Sequence, residues 1–320
     1  MPLFVPQAAH AQNDIDPAMA SQRQSLRVLL GHGDAAAVSA DRFTFDGRLY
    51  RGTFQRQDDG TILNVVDLEQ YLYSVVSAEM PPSWPPAALQ VQAICARTYV
   101  LQRSDPRRTY DLVPSELDQV YGGVSGETAG AIAGVDATGG AVLSFARGFA
   151  SIAYSSCCGG HTESSTDAWG NVALPYLGGV PCPWCVDSPN YRWQRSLAFD
   201  MLTARLTRAL PPAARVQDLR IDARDASGRA RAVDVVTDLG DATVAGSLFR
   251  RSVGARAVPS LLIGSVARAP DAASALIDGN GLGHGVGLCQ WGARGMALAG
   301  RAAAEILSFY FPGTDIQHLT

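Results

Sequence analysis

Glu79 is the residue of this 320-residue chain best placed for acid chemistry. It falls where a helical pattern must end, because Met80-Pro81-Pro82 follows at once. A helix C-terminus disfavours negative charge, and Met80, Pro81, Pro82 and Trp84 offer little solvation, so both effects favour the protonated acid. An acid of that kind can protonate a leaving glycosidic oxygen, so the placement suits glycan cleavage. A solvated surface glutamate would read the same way in sequence.

The second group that could do chemistry is the cysteines. Cys158-Gly159-Gly160-His161 is C-x-x-H and Cys182-Pro183-Trp184-Cys185 is C-x-x-C, two chelating knuckles that suit a tetrahedral Cys₃His zinc site. Cys157 could stand in for Cys158. Disulfides joining Cys157 or Cys158 to Cys182 or Cys185 are the alternative, natural in an exported protein, although they do not need His161 at chelate spacing. Cys95 reads as a small buried hydrophobe, and Cys289 has no evident partner. A redox role for Cys182 and Cys185 would need the motif to open a helix, and Gly178-Gly179-Val180-Pro181 before it argues against that.

These groups need elements to hold them. Asp67 can cap a helix in which Leu68, Tyr71, Leu72, Val75 and Val76 form one apolar stripe ending near Glu79. Pro85 and Pro86 suit the first turn of a second helix that runs through Leu101, so two helices flank a Pro-rich corner. Before the corner, Leu26 to Leu30, Arg42 to Phe54 and Thr61 to Val66 read as short strands joined by Gly-containing turns. After it, Gly139 to Tyr154 predicts further strands leading into the Gly-rich cysteine segment. From about Arg192 to Arg268 the pattern changes to an amphipathic helix over Phe199 to Leu210 and strands at Asp218 to Ala223 and Ala230 to Thr237. A Gly-rich stretch, Asp278 to Gly292, precedes a last helix from Ala302 to Phe309.

The expected fold is therefore α+β: a mixed, β-rich core carrying a two-helix catalytic corner, with an inserted smaller α+β subdomain. Residues 26–191 and 269–320 would make the core, 192–268 the insertion, and 1–25 an N-terminal tail, a possible remnant of a signal peptide. In that tail Ala9-His10-Ala11 fits the small-x-small pattern before a signal-peptidase cut, and a disordered tail could match it by chance.

Composition narrows the partners. Hydrophobic residues are 47% of the chain, which is enough for a sizeable core. Only 18% of residues are charged and the net charge is −4, so no overall positive field attracts nucleic acid. The cations are all arginine, a compositional trait from which no function follows. No run of 18 apolar residues is present to span a membrane.

The segments Leu68 to Pro81 and Ala88 to Tyr99 together resemble the signature of the SpoIID/LytB domain family. Gln119-Val120-Tyr121-Gly122-Gly123, Gly159-Gly160-His161-Thr162-Glu163, Pro175-Tyr176-Leu177 and Gly283 to Ala293 resemble its later motifs in the same order. The resemblance spans roughly 26–314, and ordered motifs are far more specific than one short match. It implies a lytic transglycosylase acting on peptidoglycan glycan strands stripped of stem peptides, with Glu79 as acid/base and 1,6-anhydro ends on the products. Other members are enhancers of cell-wall amidases, so a noncatalytic wall-binding role and an amidase partner stay open. An exported location, in periplasm, cell wall or medium, follows from either.

The resemblance also nominates Arg97, on an otherwise apolar helix face, to hold a substrate oxygen or the Glu79 carboxylate; a helix-surface salt bridge is the alternative. Gln119, Tyr121 and His284 fall on motifs and could line a groove, or make structural hydrogen bonds instead. Some family members carry zinc near the catalytic cleft. A second carboxylate is not required, and Asp67, Glu163 and Asp167 are the nearest candidates for one.

Overall fold

A computed structural model describes residues 25–319, and the Ala9-His10-Ala11 pattern lies outside them. The fold is mixed α+β, with strands gathered in several small sheets. The chain divides into two compact units, one made of 25–153 with the C-terminal residues from 296, the other of 154–295.

The first unit begins with β1 (Ser25–His32), β2 (Ala35–Ser39), β3 (Arg42–Phe45), β4 (Arg48–Arg51), β5 (Thr53–Arg56) and β6 (Thr61–Asp67). β6 pairs antiparallel with both β1 and β5, and β2-β3-β4 form a separate meander. Asp67 then turns strand into helix: its carboxylate accepts the Gln70 amide at 3.1 Å and starts α1 (Leu68–Glu79). The apolar stripe of α1 is buried as its spacing predicts. Pro86 opens α2 (Pro86–Arg103), which is buried almost all round from Ala88 to Leu101 and forms the unit's central post. α3 (Ala129–Asp136) packs closely on it because Gly130 and Gly134 carry no side chain: a Cβ on Gly134 would meet the Leu89 Cβ at 3.0 Å. β7 (Ala141–Phe145) and the short β8 (Gly148–Phe149) follow.

The second unit contains β9 (Tyr154–Ser155), α4 (Ser165–Trp169), β10 (Arg192–Ala198), α5 (Phe199–Arg205), β11 (Val216–Arg224), β12 (Ala230–Thr237), β13 (Ala242–Ala245), α6 (Gly246–Val253), β14 (Ile263–Arg268), β15 (Ser274–Asn280) and β16 (Leu288–Cys289). Its apolar core runs from Trp193 through Leu202, Val235, Phe249 and Val258 to Ile277. The segment 192–268 read as an insertion thus lies within this unit, and its core also takes in β15, beyond 268. β11 and β12 pair antiparallel about the Ser227-Gly228 turn, close to the expected strands. The expected helix over Phe199 to Leu210 stops at Arg205 instead; Leu206 and Leu210 stay buried in tight turns ahead of Pro211-Pro212.

α7 (Gln290–Leu298) carries the chain back to the first unit, which closes with α8 (Ala303–Tyr310), near the expected bounds, and β17 (Asp315–His318), paired antiparallel with β7. No helix among the described residues is long and apolar enough to cross a membrane.

Candidate functional site

Glu79 is the last residue of α1. Met80 leaves the helix with extended backbone, φ −133° and ψ 139°, while its amide still donates to the Val76 carbonyl at 3.0 Å. The Met80 side chain is buried, so the corner is anchored and Glu79 beside it is half-buried. α3 closes on the proline side, where a Cβ on Gly130 would stand 2.5 Å from the Pro82 carbonyl oxygen. Two turns back on α1, Tyr71 is fully buried, and its hydroxyl has no hydrogen-bond partner among the described residues. Burial pushes that phenol well above the usual range, and Glu79 is among the negative charges that add to the push.

Arg97 does not hold Glu79. Its guanidinium, 0% exposed, grips Glu69 in a fork, Nε to Oε1 at 2.7 Å and Nη2 to Oε2 at 2.6 Å, and donates through Nη1 to the Ala141 carbonyl at 2.8 Å. The apolar helix face did require a partner for this cation, and that partner is Glu69, on the first turn of α1. Arg97 therefore ties α1, α2 and β7 together. Arg97→Met is expected to destabilise this unit by about 3 kcal/mol, the lower end for breaking a buried pair because Glu69 keeps some water. Urea unfolding measures it; a change within about 0.5 kcal/mol would mean that the clamp holds nothing.

Gln119 and Tyr121 are likewise buried. The Tyr121 hydroxyl donates to Asn64 Oδ1 at 2.9 Å and its ring packs against Tyr71 and Tyr50. Gln119 donates weakly to the Ala96 carbonyl at 3.5 Å. Both sit inside the first unit as supports, and neither offers a surface to a ligand.

The cysteine centre forms in the second unit, with one change from the expected set. Cys158, Cys182, Cys185 and Cys289 are all buried and their sulfurs lie within 4.8 Å of one another. Cys289 takes the place expected for His161, which stands outside this group with Nδ1 2.6 Å from the Thr162 carbonyl oxygen. Cys289 arrives because β16 pairs parallel with β9, setting Cys289 opposite Ser155 and close to Cys158. Two glycines permit the approach of the intervening backbones: Cβ atoms on Gly159 and Gly281 would lie 2.8 Å and 2.7 Å from backbone atoms of Asn280 and Cys157.

Four sulfurs about 2.3 Å from a zinc ion stand about 3.8 Å apart. Cys158 and Cys185 are 3.6 Å apart, close to that edge, and all six cysteines of the chain are free thiols. Backbone amides of Cys158 and Gly292 donate to Cys289 Sγ at 3.2 and 3.3 Å, the outer hydrogen bonds that orient a thiolate ligand. Crowding also shapes ionisation. Hydrogen bonds from Cys157 and Cys158 hold the Cys185 thiol well below its usual range, at about 4, while burial pushes Cys289 well above. Unaided, the cluster readily supports one thiolate; a divalent soft cation would supply the charge for four. The donor set fits zinc.

A separate cavity of about 310 Å³ opens in the same unit and takes His284, Trp169, Glu163 and Arg229 into its wall. His284 Nδ1 accepts the Val286 amide at 3.0 Å and the ring also bonds the Tyr154 backbone. Its nitrogens are thus engaged by the fold, and its ring forms wall, tilted against Trp169 at 5.2 Å. Glu163, one of the candidates for a second carboxylate, is buried: it accepts from the Ser164 amide at 2.7 Å and the Ser227 hydroxyl at 2.7 Å, and burial pushes its carboxyl up to about 7. Its partner Arg229 lies 66 positions onward, which no local pattern signals.

Residues 56–145 match the family described as stage II sporulation protein. A stage II sporulation protein D of Bacillus amyloliquefaciens is 26% identical over 276 residues, covering 78% of this chain and 74% of its own length. The chain belongs to the SpoIID/LytB family. An uncharacterised protein of Brachyspira hyodysenteriae is 33% identical over 282 residues, 86% of this chain and 74% of its own. An amidase enhancer of Bacillus subtilis is 27% identical over 329 residues; this covers 87% of the SpoIID-like chain here but 45% of the enhancer. Residues 186–287 match a second family, a domain of unknown function. The SpoIID match therefore covers the Glu79 corner with Arg97, Gln119 and Tyr121, whereas the four cysteines fall beyond it.

Proposed function

We propose that this SpoIID/LytB chain is a peptidoglycan lytic transglycosylase, acting on glycan strands stripped of stem peptides. The observation that supports the reading is the placement of Glu79: a half-buried carboxyl at the end of a rigid helix, anchored by buried Met80 and a proline corner, within the span that matches the family. Glu79 in its acid form protonates the bridging oxygen, the C1–O bond breaks, and the leaving sugar departs with its new hydroxyl. The resulting carboxylate then removes the proton of the substrate's own 6-hydroxyl as that oxygen bonds to C1. The products are a 1,6-anhydro end and a regenerated acid, and no water is consumed.

Cys158, Cys182, Cys185 and Cys289 would hold zinc in a closed shell of four thiolates, leaving no position for water. The metal would brace loops, and the chemistry stays with Glu79. Such an enzyme works outside the cytoplasm, so we place the chain in the periplasm, wall or medium.

The likeness to a protein named amidase enhancer carries a second reading, a noncatalytic wall module that stimulates an N-acetylmuramoyl-L-alanine amidase. Incubating the full chain with stripped glycan strands and weighing the products by mass spectrometry separates the two. Fragments 18 mass units lighter than hydrolysis would give, the mass of one water, are expected. Incorporation of oxygen from labelled water would make the protein a hydrolase, and intact strands together with a stimulated amidase would favour the enhancer.

A further inference from the structure

β13 runs straight into α6, and the residue at the junction, Ala245, has no side-chain group to cap the helix. The first amides of a helix find no acceptor within it, so this end keeps its preference for negative charge. Gly246 sets the end tightly against β12: a Cβ there would collide with the Ala230 carbonyl. Ser247, Arg250 and Arg251 stand at i, i+3 and i+4, on one face of α6. All three line the cavity of about 310 Å³, joined by Arg231 from β12.

Arg250 distinguishes this face from a solvated charged surface. It is 5% exposed, and no carboxylate pairs with it, or with Arg231 or Arg251, among the described residues. Its Nε and Nη2 donate to the Val258 and Pro259 carbonyls at 3.0 and 2.9 Å, which fixes the fork and leaves its charge uncompensated. Nη1 bonds no group among the described residues and is not closed off, so an oxygen entering the cavity can reach it. Arg229 is engaged differently, by Glu163 and by the carbonyls of His161 and Cys158. Asp225 accepts from the Ser227 and Arg229 amides, so Asp167 is the one carboxylate of the wall without a hydrogen-bond partner among the described residues. A buried cation left unpaired is destabilising, and an anion in the cavity relieves it.

We infer that the first turn of α6 binds a phosphoryl group. A carboxylate brings one charge and two oxygens. A phosphoryl group brings up to two charges and three free oxygens, which suit the Ser247 hydroxyl, the helix amides and the forks of Arg250 and Arg251 together. The cavity is larger than a phosphate ion needs, and Trp169 and His284 form another part of its wall, so the group is expected on an ester whose carbon chain lies there. The site is independent of Glu79, which belongs to the other unit.

The test is titration of the full chain with glycerol 3-phosphate, inorganic phosphate and acetate, followed by calorimetry and, for the phosphates, phosphorus NMR. Glycerol 3-phosphate is expected to bind at least about tenfold tighter than acetate, the scale of a charge-assisted hydrogen bond. Inorganic phosphate should bind more weakly than the ester; if it binds as tightly, the phosphoryl site stands and its ligand is the free ion. Arg251→Ala, at an exposed position, should weaken the ester several-fold with unchanged melting. Ser247→Asp should abolish binding without lowering the melting temperature, because its carboxylate occupies the helix end and meets Arg250 from within the chain. A merely structural role for Ser247 would lose binding only together with stability. Acetate binding as tightly as either phosphate, no binding of either phosphate, or indifference to both substitutions would overturn the site.

Discussion

Glu79→Gln is expected to lower cleavage of stripped glycan strands at least about a hundredfold while leaving the fold intact, the usual scale for losing a general acid. Glutamine keeps the size and the polar head of the side chain but cannot protonate a leaving oxygen or accept the 6-hydroxyl proton. The corner has anchors besides the carboxyl: Met80 is buried, its amide bonds Val76, and the cap that starts α1 is Asp67. Circular dichroism and melting should therefore match the unsubstituted chain, and the loss should appear in kcat. Glu79→Ala should be equally inactive, since both remove the proton. Undiminished activity in either variant would take Glu79 out of the mechanism, and attention would turn to Glu163, the buried carboxyl whose pKa stands near 7.

What the sequence revealed and what it concealed follow one physical division. Features fixed within a few residues were legible. Asp67 as cap, the α1 stripe, the proline stop after Glu79, the start of α2 and the Ser227-Gly228 turn all lie where local chemistry puts them. The Cys182-Cys185 knuckle was legible for the same reason, since both cysteines stand on a single turn. Partners distant in the chain were not. Arg97 visibly needed a counter-charge, yet nothing local chooses Glu69, 28 positions earlier, over Glu79. Cys289 reaches Cys158 across 131 positions by a two-residue parallel pairing, too short to leave a strand pattern. His161 has chelate spacing from Cys158, but Gly159 and Gly160 both take positive φ, 77° and 117°, and the turn they make carries the chain into the Thr162 pairing, with the ring on the Thr162 carbonyl. A spacing rule cannot see that turn, only that two glycines permit one. The unit boundary near Tyr154 is hidden similarly, because β9 is recruited by β16 from the far end of the unit.

The metal gives the second large effect, and it discriminates between two ligand sets. Protein prepared under reducing conditions is expected to carry one zinc per chain, with X-ray absorption showing four sulfurs at about 2.3 Å and no nitrogen at about 2.0–2.1 Å. Cys289→Ser should weaken zinc at least about a hundredfold, beyond the 10–100-fold typical of losing an outer-shell group, because it removes a ligand. His161→Ala should retain a full equivalent, as among the described residues its ring bonds the adjacent Thr162 carbonyl and stands outside the four-sulfur group. Stability should follow the metal. If zinc is held at about 1,000 times its Kd, removing it costs about 4 kcal/mol, a drop of about 10 °C in the melting of a unit this size. The four cysteines lie in the 154–295 unit and Glu79 in the other, so hydrogen exchange after chelation should rise first in the Cys158 and Cys182 loops and not in α1. Loss of zinc in His161→Ala with full retention in Cys289→Ser would restore the Cys₃His set. Less than about half an equivalent in the unsubstituted chain, with the thiols recovered as disulfides, would mean that these cysteines are linked in pairs and hold no metal.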